Sequence, residues 1–216
     1  MQVAVLIPTL RRSFKLRAVA NNVMQSDSRC VPVFICEADD EESIESVGEI
    51  EGAQLVINVR SRSYAGAINT AVWWMDSDWF FLGSDDLDFR AGWLDHALAI
   101  ADGFDVVGTN DLHNPEVLRG EHSTHSLVRG SYARNGCIDV PDVCLFEGYK
   151  HNWCDTEFIQ TAMKRGVFVP CLDAVVEHKH WAWQLASMDS TYDKGKLFEA
   201  DDRQLFWGRE KLWNGM

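Results

Sequence analysis

The stretch WFFLGSDDLDF, Trp79 to Phe89, decides how this chain is read. Its first five residues, Trp79 to Gly83, are apolar or small and mark a short buried strand. The strand runs into three carboxylates, Asp85, Asp86 and Asp88. Like charges delivered to one point repel, and a divalent cation bound through hard oxygen ligands is the simplest offset. An acidic, solvated turn is the alternative, because such clusters also merely terminate strands. In folds that alternate strands and helices, strand ends of this kind are where nucleotides bind.

Reading outward, the chain does alternate. Residues 3–7 (VAVLI) form a continuous apolar run of the kind central parallel strands show, ended by Pro8. Ser13 is placed to cap the next helix, on which Leu16, Val19, Ala20, Val23 and Met24 follow helical spacing. A second run, Val31 to Cys36, ends in Glu37, Asp39 and Asp40, and a third, Leu55 to Val59, ends in Arg60 and Arg62. A helix over YAGAINTAVWWM then leads into the Trp79 strand. Beyond it come a helix carrying Trp93, Leu94, Ala97 and Leu98 and a strand at 104–108 (FDVVG). This alternation predicts an α/β fold with a central, mostly parallel sheet, right-handed crossovers and flanking helices.

The middle of the chain, Thr109 to Lys150, is polar, and residues 112–135 read as a mobile connection. Helical spacing returns from Cys154 to Arg165 and stops at Gly166. A last strand is expected over Ala174–Glu177, followed by His178-Lys179-His180-Trp181, and a helix over 199–213 with Leu205, Phe206 and Trp213 on its apolar side. No repeat or linker interrupts the 216 residues, so one domain is expected.

Composition narrows the function. A net charge of −13 argues against broad, sequence-independent nucleic-acid binding, which depends on clustered Lys and Arg. A local groove from Arg119, Arg129 and Arg134 stays open, as does a flat platform from Trp181 and Trp183 for a sugar ring or base. The Trp73-Trp74 pair reads as packing, and His113, His122, His125 and His151 as solvent-exposed, with acceptor contact the alternative. The cysteines show no C-x-x-C pair and sit in apolar runs, as buried thiols of a reducing compartment do. No transmembrane segment or leader is evident, and a cytoplasmic protein is expected.

Taken in order, several motifs resemble the family 2 glycosyltransferases of the GT-A fold. They are IPTLRR (7–12) after the first strand, the acidic end of the second strand, SYAGAINTAV (63–72) and the D-x-D-like GSDD (83–86). WCDTEFIQTAMKRG (153–166) is similar to the family's "ED" helix and VVEHKHW (175–181) to its late histidine element. The wording is most similar to compact bacterial and bacteriophage members, which for a phage protein would mean the host cytoplasm. Three positions depart from the pattern: Gly83 replaces the first D-x-D carboxylate, Cys154 the Glu of the ED pair, and Glu37 the commoner Asp.

The resemblance implies a metal-dependent, inverting transfer of a sugar from a nucleoside-diphosphate sugar, UDP-linked by preference, to a hydroxyl of a glycan, protein or modified DNA base. It divides the chain into a nucleotide-sugar half (1–108), an acceptor and catalytic half (109–181) and a helical tail (182–216). Donor contacts fall to Pro8, Thr9, Arg11, Glu37, Arg62, Gly66, Asn69 and Asp85. Mn²⁺ or Mg²⁺ would be held by Asp85, Asp86 and Asp88 with His178 and His180, whose i, i+2 spacing puts both on one face of a strand. Asp155 would be the general base, with Glu157 in reserve. A sugar-phosphate nucleotidylyltransferase is the competing enzyme class, but IPTLRRSFK lacks its glycine-rich, lysine-containing loop. A non-catalytic nucleotide-sugar or carbohydrate-binding module is the third reading, kept open by the altered ED pair.

Overall fold

The computed structural model describes residues 1–214, without the side chains of 190–192 and 194. The apolar runs become strands because both of their faces are covered. In Val3–Pro8 (β1), Val3, Val5 and Ile7 enter one core layer while Ala4 and Leu6 enter the other. Cys30–Cys36 (β2) splits in the same way, Phe34 and Cys36 against Val33 and Ile35. A strand buried on both sides has no polar alternation, which is why these segments read as unbroken hydrophobic runs.

Helices supply the covers. Ser13–Ser26 (α1) buries Leu16, Val19, Ala20 and Val23 in the first layer. Glu41–Gly48 (α2) follows β2 and is capped by Asp40, whose side chain accepts from Ser43 N. Gln54–Ile57 (β3) is the outer strand on this side. Tyr64–Trp74 (α3) covers the second layer and starts at Ser63, which accepts from Gly66 N. Trp79–Leu82 (β4) follows, then Leu87–Phe89 (β5), Trp93–Ala99 (α4) and Val106–Asn110 (β6).

The polar middle is more ordered than its composition suggests. It contains Pro115–Leu118 (α5), Ser126–Arg129 (β7) and Gly130–Ala133 (α6). β7 lies inside the sheet, antiparallel to both β4 and β6. Much of 112–135 is therefore not a loose connection: His122, Ser123, His125 and Ser126 are buried, with Ser123 and Ser126 hydrogen-bonded, and counting polar residues misread them as solvated. Cys154–Lys164 (α7) matches the expected helix. The last strand, Phe168–His178 (β8), is much longer than Ala174–Glu177; a register shift opposite Thr109 and Asn110 lets it serve β6 and, further along, β5.

Strand order is β3-β2-β1-β4-β7-β6-β8-β5, with β7 and β5 the strands that run against their neighbours. The result is one mixed α/β domain whose curled sheet is flanked by helices. Ser190–Arg209 (α8) and Lys211–Asn214 (α9) bring the tail back onto the domain, burying Phe206 and Trp213 beside α7. Residues 215 and 216 of that tail lie outside the described residues. None of the described helices is long and apolar enough to cross a membrane.

Two local expectations are corrected. Arg12, not Ser13, occupies the cap position of α1 and gives no side-chain cap, while the Ser13 hydroxyl donates to Glu42 at 2.7 Å. Trp73 and Trp74, the last two residues of α3, are each 65% exposed rather than packed, while Ala65 to Val72 before them are buried.

Candidate active site

The chain passes from β1 outward through β2 to β3, then returns to place β4 on the other side of β1. At such a switch point the loops from neighbouring strand ends diverge and leave a crevice, the usual ligand position in open α/β sheets. A cavity of about 590 Å³ opens there. Its floor comes from Thr9 after β1 and from Ser84, Asp85 and Asp86 after β4.

The three carboxylates have separate fates. Asp85 is buried and fully engaged: Thr9 Oγ1 donates to Oδ2 at 3.0 Å and Arg12 Nη1 to Oδ1 at 2.5 Å. Burial leaves its pKa raised despite Arg12, whose charge is shared with Asp189 through two bonds of 2.9 Å. Asp85 thus ties β1 to β4 and has no oxygen turned to the cavity alone. Asp86 does line the cavity, with His178 Nε2 3.4 Å from its Oδ2 and Ser84 Oγ donating to Oδ1 at 2.5 Å. Asp88 points away on β5, where Asn22 donates to it at 2.8 Å and Lys179 pairs with it at 2.6 Å. Neither Asp88 nor its neighbour Leu87, which is buried in the core, lines the cavity.

His178 and His180 both reach the cavity at the end of β8, ring centroids 5.0 Å apart. Burial, followed by the neighbouring His178, lowers the His180 pKa to about 4, and its Nδ1 accepts from Ala182 N at 3.3 Å. The fit to a divalent cation is good. Asp86 and His178 face each other at a distance close to the ~3 Å separating adjacent ligands of an octahedral ion with bonds near 2.1 Å. One carboxylate and imidazole nitrogen leave coordination positions for phosphate oxygens, the arrangement expected where a cation arrives with a nucleotide. Among the described residues, the trio with the tightest ligand clustering is elsewhere: Cys137, Asp139 and Glu157. The Arg209 guanidinium already fills that trio, bonding Glu157 at 2.8 Å and Asp139 at 2.7 Å.

On the nucleotide side, Pro8, Glu37, Arg62 and Tyr64 line the cavity with Ile35 and Ala67. Glu37 is oriented by Asn58, which donates at 2.8 Å, and Arg62 is drawn to Asp39. Arg11, Gly66 and Asn69 are not brought to the cavity wall. Arg11 turns outward with φ 54° and donates its backbone N–H to Asp40. A Cβ on Gly66 would stand 2.1 Å from the Ser61 carbonyl, so this glycine permits close packing of a turn. Asn69 is buried and splints α3 to the 144–147 segment, donating to Leu145 O at 2.8 Å and accepting from Cys144 N at 2.9 Å.

The opposite wall is built by residues 150–156, His122–His125 and Phe198 with Glu199 of α8. Asp202 holds this wall by accepting the backbone N–H groups of Lys150, His151 and Asn152. Trp153 precedes α7 in the left-handed region, φ 70°, a strained conformation of the type that collects at functional sites. It launches α7 so that Asp155 faces the cavity, 30% exposed, with His122 Nε2 3.5 Å from its Oδ2. Burial pushes the Asp155 pKa up, but His122 outweighs it and the net shift is down. Glu157 points inward instead, locked by Tyr149 and Arg209.

His122 and His125, expected at the surface, are each only 6% exposed, and His151 also lines the cavity. A sequence signal existed, two histidines three apart immediately before an apolar strand, but it does not distinguish a buried loop from a solvated one. The three arginines do not form a groove. Arg129 stacks over Trp79 at the opposite end of β4 from Asp85, Arg134 bonds Met75 O, and Arg119 pairs with Glu121. Trp181 lies under Lys196 and Trp183 against His113, both outside the cavity wall.

No protein-family model and no curated protein matches the chain. Solved structures do. A Pyrobaculum calidifontis mannosyltransferase in complex with GDP-Man and Mn²⁺ superposes with a TM-score of 0.63 at 18% identity, covering 85% of this chain. Glucosyl-3-phosphoglycerate synthase from Mycobacterium tuberculosis, with Mn²⁺, UDP and glucosyl-3-phosphoglycerate, gives 0.60 at 10% identity over 83% of this chain and 72% of its own. The chain has the GT-A fold. Residues 1–349 of Staphylococcus aureus TarS give 0.60 at 14% identity, covering 82% of this chain and 59% of that one. This GT-A chain likewise spans 59% of the mannosyltransferase's length.

Proposed function

We propose that the cavity binds a nucleoside-diphosphate sugar with a divalent cation and transfers the sugar to an acceptor hydroxyl with inversion. The observation that carries this is the presence of two different carboxylate–imidazole pairs in the lining of one cavity. Asp86 stands 3.4 Å from His178 at the switch point, where a cation site is proposed, and Asp155 stands 3.5 Å from His122 at the head of α7, where the proton acceptor is proposed. The complexes of the structural neighbours with Mn²⁺ and with GDP-Man or UDP support the same donor class.

In this reading Pro8, Thr9, Glu37 and Arg62 surround the nucleoside, with Glu37 placed to accept from a uracil-type N–H. Asp86 and His178, with His180 beside them, would hold Mn²⁺ or Mg²⁺, whose charge stabilises the departing diphosphate. Asp155 takes the acceptor's proton as the acceptor oxygen bonds to the anomeric carbon and the bond from that carbon to the diphosphate breaks. The lowered pKa of Asp155 suits the role, since the group is ionised before the reaction.

The wall chemistry favours an uncharged acceptor hydroxyl, on a glycan or protein, over a nucleic acid. Glu116, Asp155 and Glu199 line the acceptor side, while Lys150 is paired with Asp201 at 3.1 Å. Such a surface repels a phosphate backbone. A melting-temperature panel of UDP-, GDP-, dTDP- and CMP-sugars, with and without MnCl₂, tests the donor assignment. Metal-dependent stabilisation by a nucleotide sugar is expected, and pyrophosphate exchange with a nucleoside triphosphate would refute the transferase reading in favour of nucleotidyl transfer.

A further inference from the structure

The His122-Ser123-Thr124-His125 loop reaches both functional pairs at once. We infer that it is a positioning element, with His122 orienting Asp155 and His125, acting through Ser84, orienting Asp86. The inference rests on the transfer reading above, which already pairs His122 with Asp155, and adds roles for His125 and Ser84, to which that reading gives none.

The loop is held from behind. Ser123 Oγ accepts from Thr109 N at 3.2 Å and donates to His125 O at 2.6 Å, and Ser126 Oγ donates to Ser123 Oγ at 3.0 Å. Thr109 Oγ1 donates to the same His125 carbonyl at 2.7 Å, and Thr124 Oγ1 to Asp111 at 2.9 Å. Gly108 lets β6 approach this closely, since a Cβ there would meet Ser123 Cβ at 2.8 Å. A backbone fixed at so many points fixes where its two imidazoles aim.

Proton positions follow from what the imidazoles lack. Nδ1 of His122 and Nδ1 of His125 are both buried without a hydrogen-bond partner. A buried bare nitrogen acceptor is tolerated far better than a buried unpaired N–H, so the ring proton belongs on Nε2 in both. His122 Nε2–H is then directed at Asp155 Oδ2, 3.5 Å away, a separation of the kind that tightens when substrate arrives. His125 Nε2–H is directed at Ser84 Oγ, 3.1 Å away, which turns the Ser84 hydroxyl hydrogen onto Asp86 Oδ1 at 2.5 Å. Asp86 Oδ2 faces His178 across 3.4 Å, on the side of the carboxylate where the cation is proposed. Outer partners of this kind set ligand orientation and typically change metal affinity 10–100-fold when removed.

Two measurements on the full chain test this. In long-range ¹H–¹⁵N spectra of the metal-free protein, recorded at a pH high enough to leave His122 neutral because, against the effect of burial, Asp155 raises its pKa, His122 and His125 are expected as the Nε2–H form with unprotonated Nδ1. Asp155→Asn should move the His122 nitrogens alone, and Ser84→Ala those of His125 alone. In calorimetric titration of MnCl₂ with UDP present, Ser84→Ala and His125→Ala should weaken Mn²⁺ binding by about 10–100-fold. His125→Gln, which keeps a donor near the same place, should recover most of it, and His122→Ala should leave it within about twofold. An Nδ1–H form at either histidine overturns the inference, as does wild-type Mn²⁺ affinity in Ser84→Ala. Loss of Mn²⁺ affinity in His122→Ala equal to that in His125→Ala also overturns it, because the loop would then be acting as undivided packing. If the wild-type protein binds no Mn²⁺ with UDP, the transfer reading falls, while the spectra still decide the loop's role.

Discussion

His122 Nε2 and Asp155 Oδ2 stand 3.5 Å apart in one wall of the cavity, joining a loop before β7 to the first turn of α7. The helix supplies the carboxylate and the sheet supplies its partner, so the pair exists only in the folded chain. Replacing Asp155 by Asn removes the proton acceptor and keeps the shape. Turnover should fall by roughly 10²–10⁴-fold with donor affinity almost unchanged. Steady-state kinetics read this directly, and near-normal turnover would eliminate Asp155 as the base.

The same pair sets a pH dependence. Burial raises the Asp155 pKa, but His122 brings the net below the ordinary value of 3.8. A base must be ionised to act, so activity is complete above its pKa and declines only as pH falls through it. The kcat profile should therefore stay flat from neutrality to about pH 5, a full unit above an ordinary aspartate. An acid limb centred near 6 to 7 would assign the titration to a histidine instead.

Much of the fold was legible because strands buried on both faces are unbroken apolar runs and helices repeat their own spacing. β1, β2, β4, α1 and α7 lie close to where those patterns put them. β7 was not legible: a central four-residue strand preceded by Ser and His looks the same as a polar loop until its neighbours are known. Of the candidate site, Thr9, Glu37, Arg62, Asp86, Asp155, His178 and His180 do meet in one cavity. Asp85 reaches the cavity already committed to Arg12, a pairing between residues 73 apart that no local motif encodes. The family resemblance puts Gly66 and Asn69 at the donor, Gly66 for the close backbone approach a glycine allows. Here they serve a tight turn and a buried splint.

That distinction is testable at Gly66. Alanine there drives a methyl into the Ser61 carbonyl, a backbone atom that cannot swing aside. A loss of about 1–3 kcal/mol is expected, the usual range for overpacking, seen as a lower denaturant midpoint. Unchanged stability with weakened nucleotide binding would return Gly66 to the donor site.

Arg209 anchors the tail. It bonds the 3% exposed Glu157 through two contacts of 2.8 Å and also reaches Asp139. Arg209→Ala leaves a buried carboxylate with Tyr149 alone and should cost about 3–5 kcal/mol by chemical denaturation. The Asp139 pKa is lowered, chiefly by its hydrogen bond from Arg209, so its stabilisation is complete above the unfolded value of 3.8 and lost as pH falls below it. The variant should show a shallower loss of stability in that acid window than the parent. Equal acid sensitivity would contradict the assignment.

The central claim is that Asp86 and His178 hold a cation that brings in the nucleotide, and UDP-dependent melting shifts with and without MnCl₂ test it most directly. At UDP near 100 times its dissociation constant, mass action gives about 2.7 kcal/mol, a rise of roughly 5–10 °C for a chain of this size. We expect that rise in wild type only when Mn²⁺ is present. Asp88→Asn should retain it, because Asp88 is committed to Asn22 and Lys179, and Asp86→Asn should abolish it. An equal, metal-dependent rise in Asp86→Asn, or no metal-dependent rise in wild type with any nucleotide, would contradict the account.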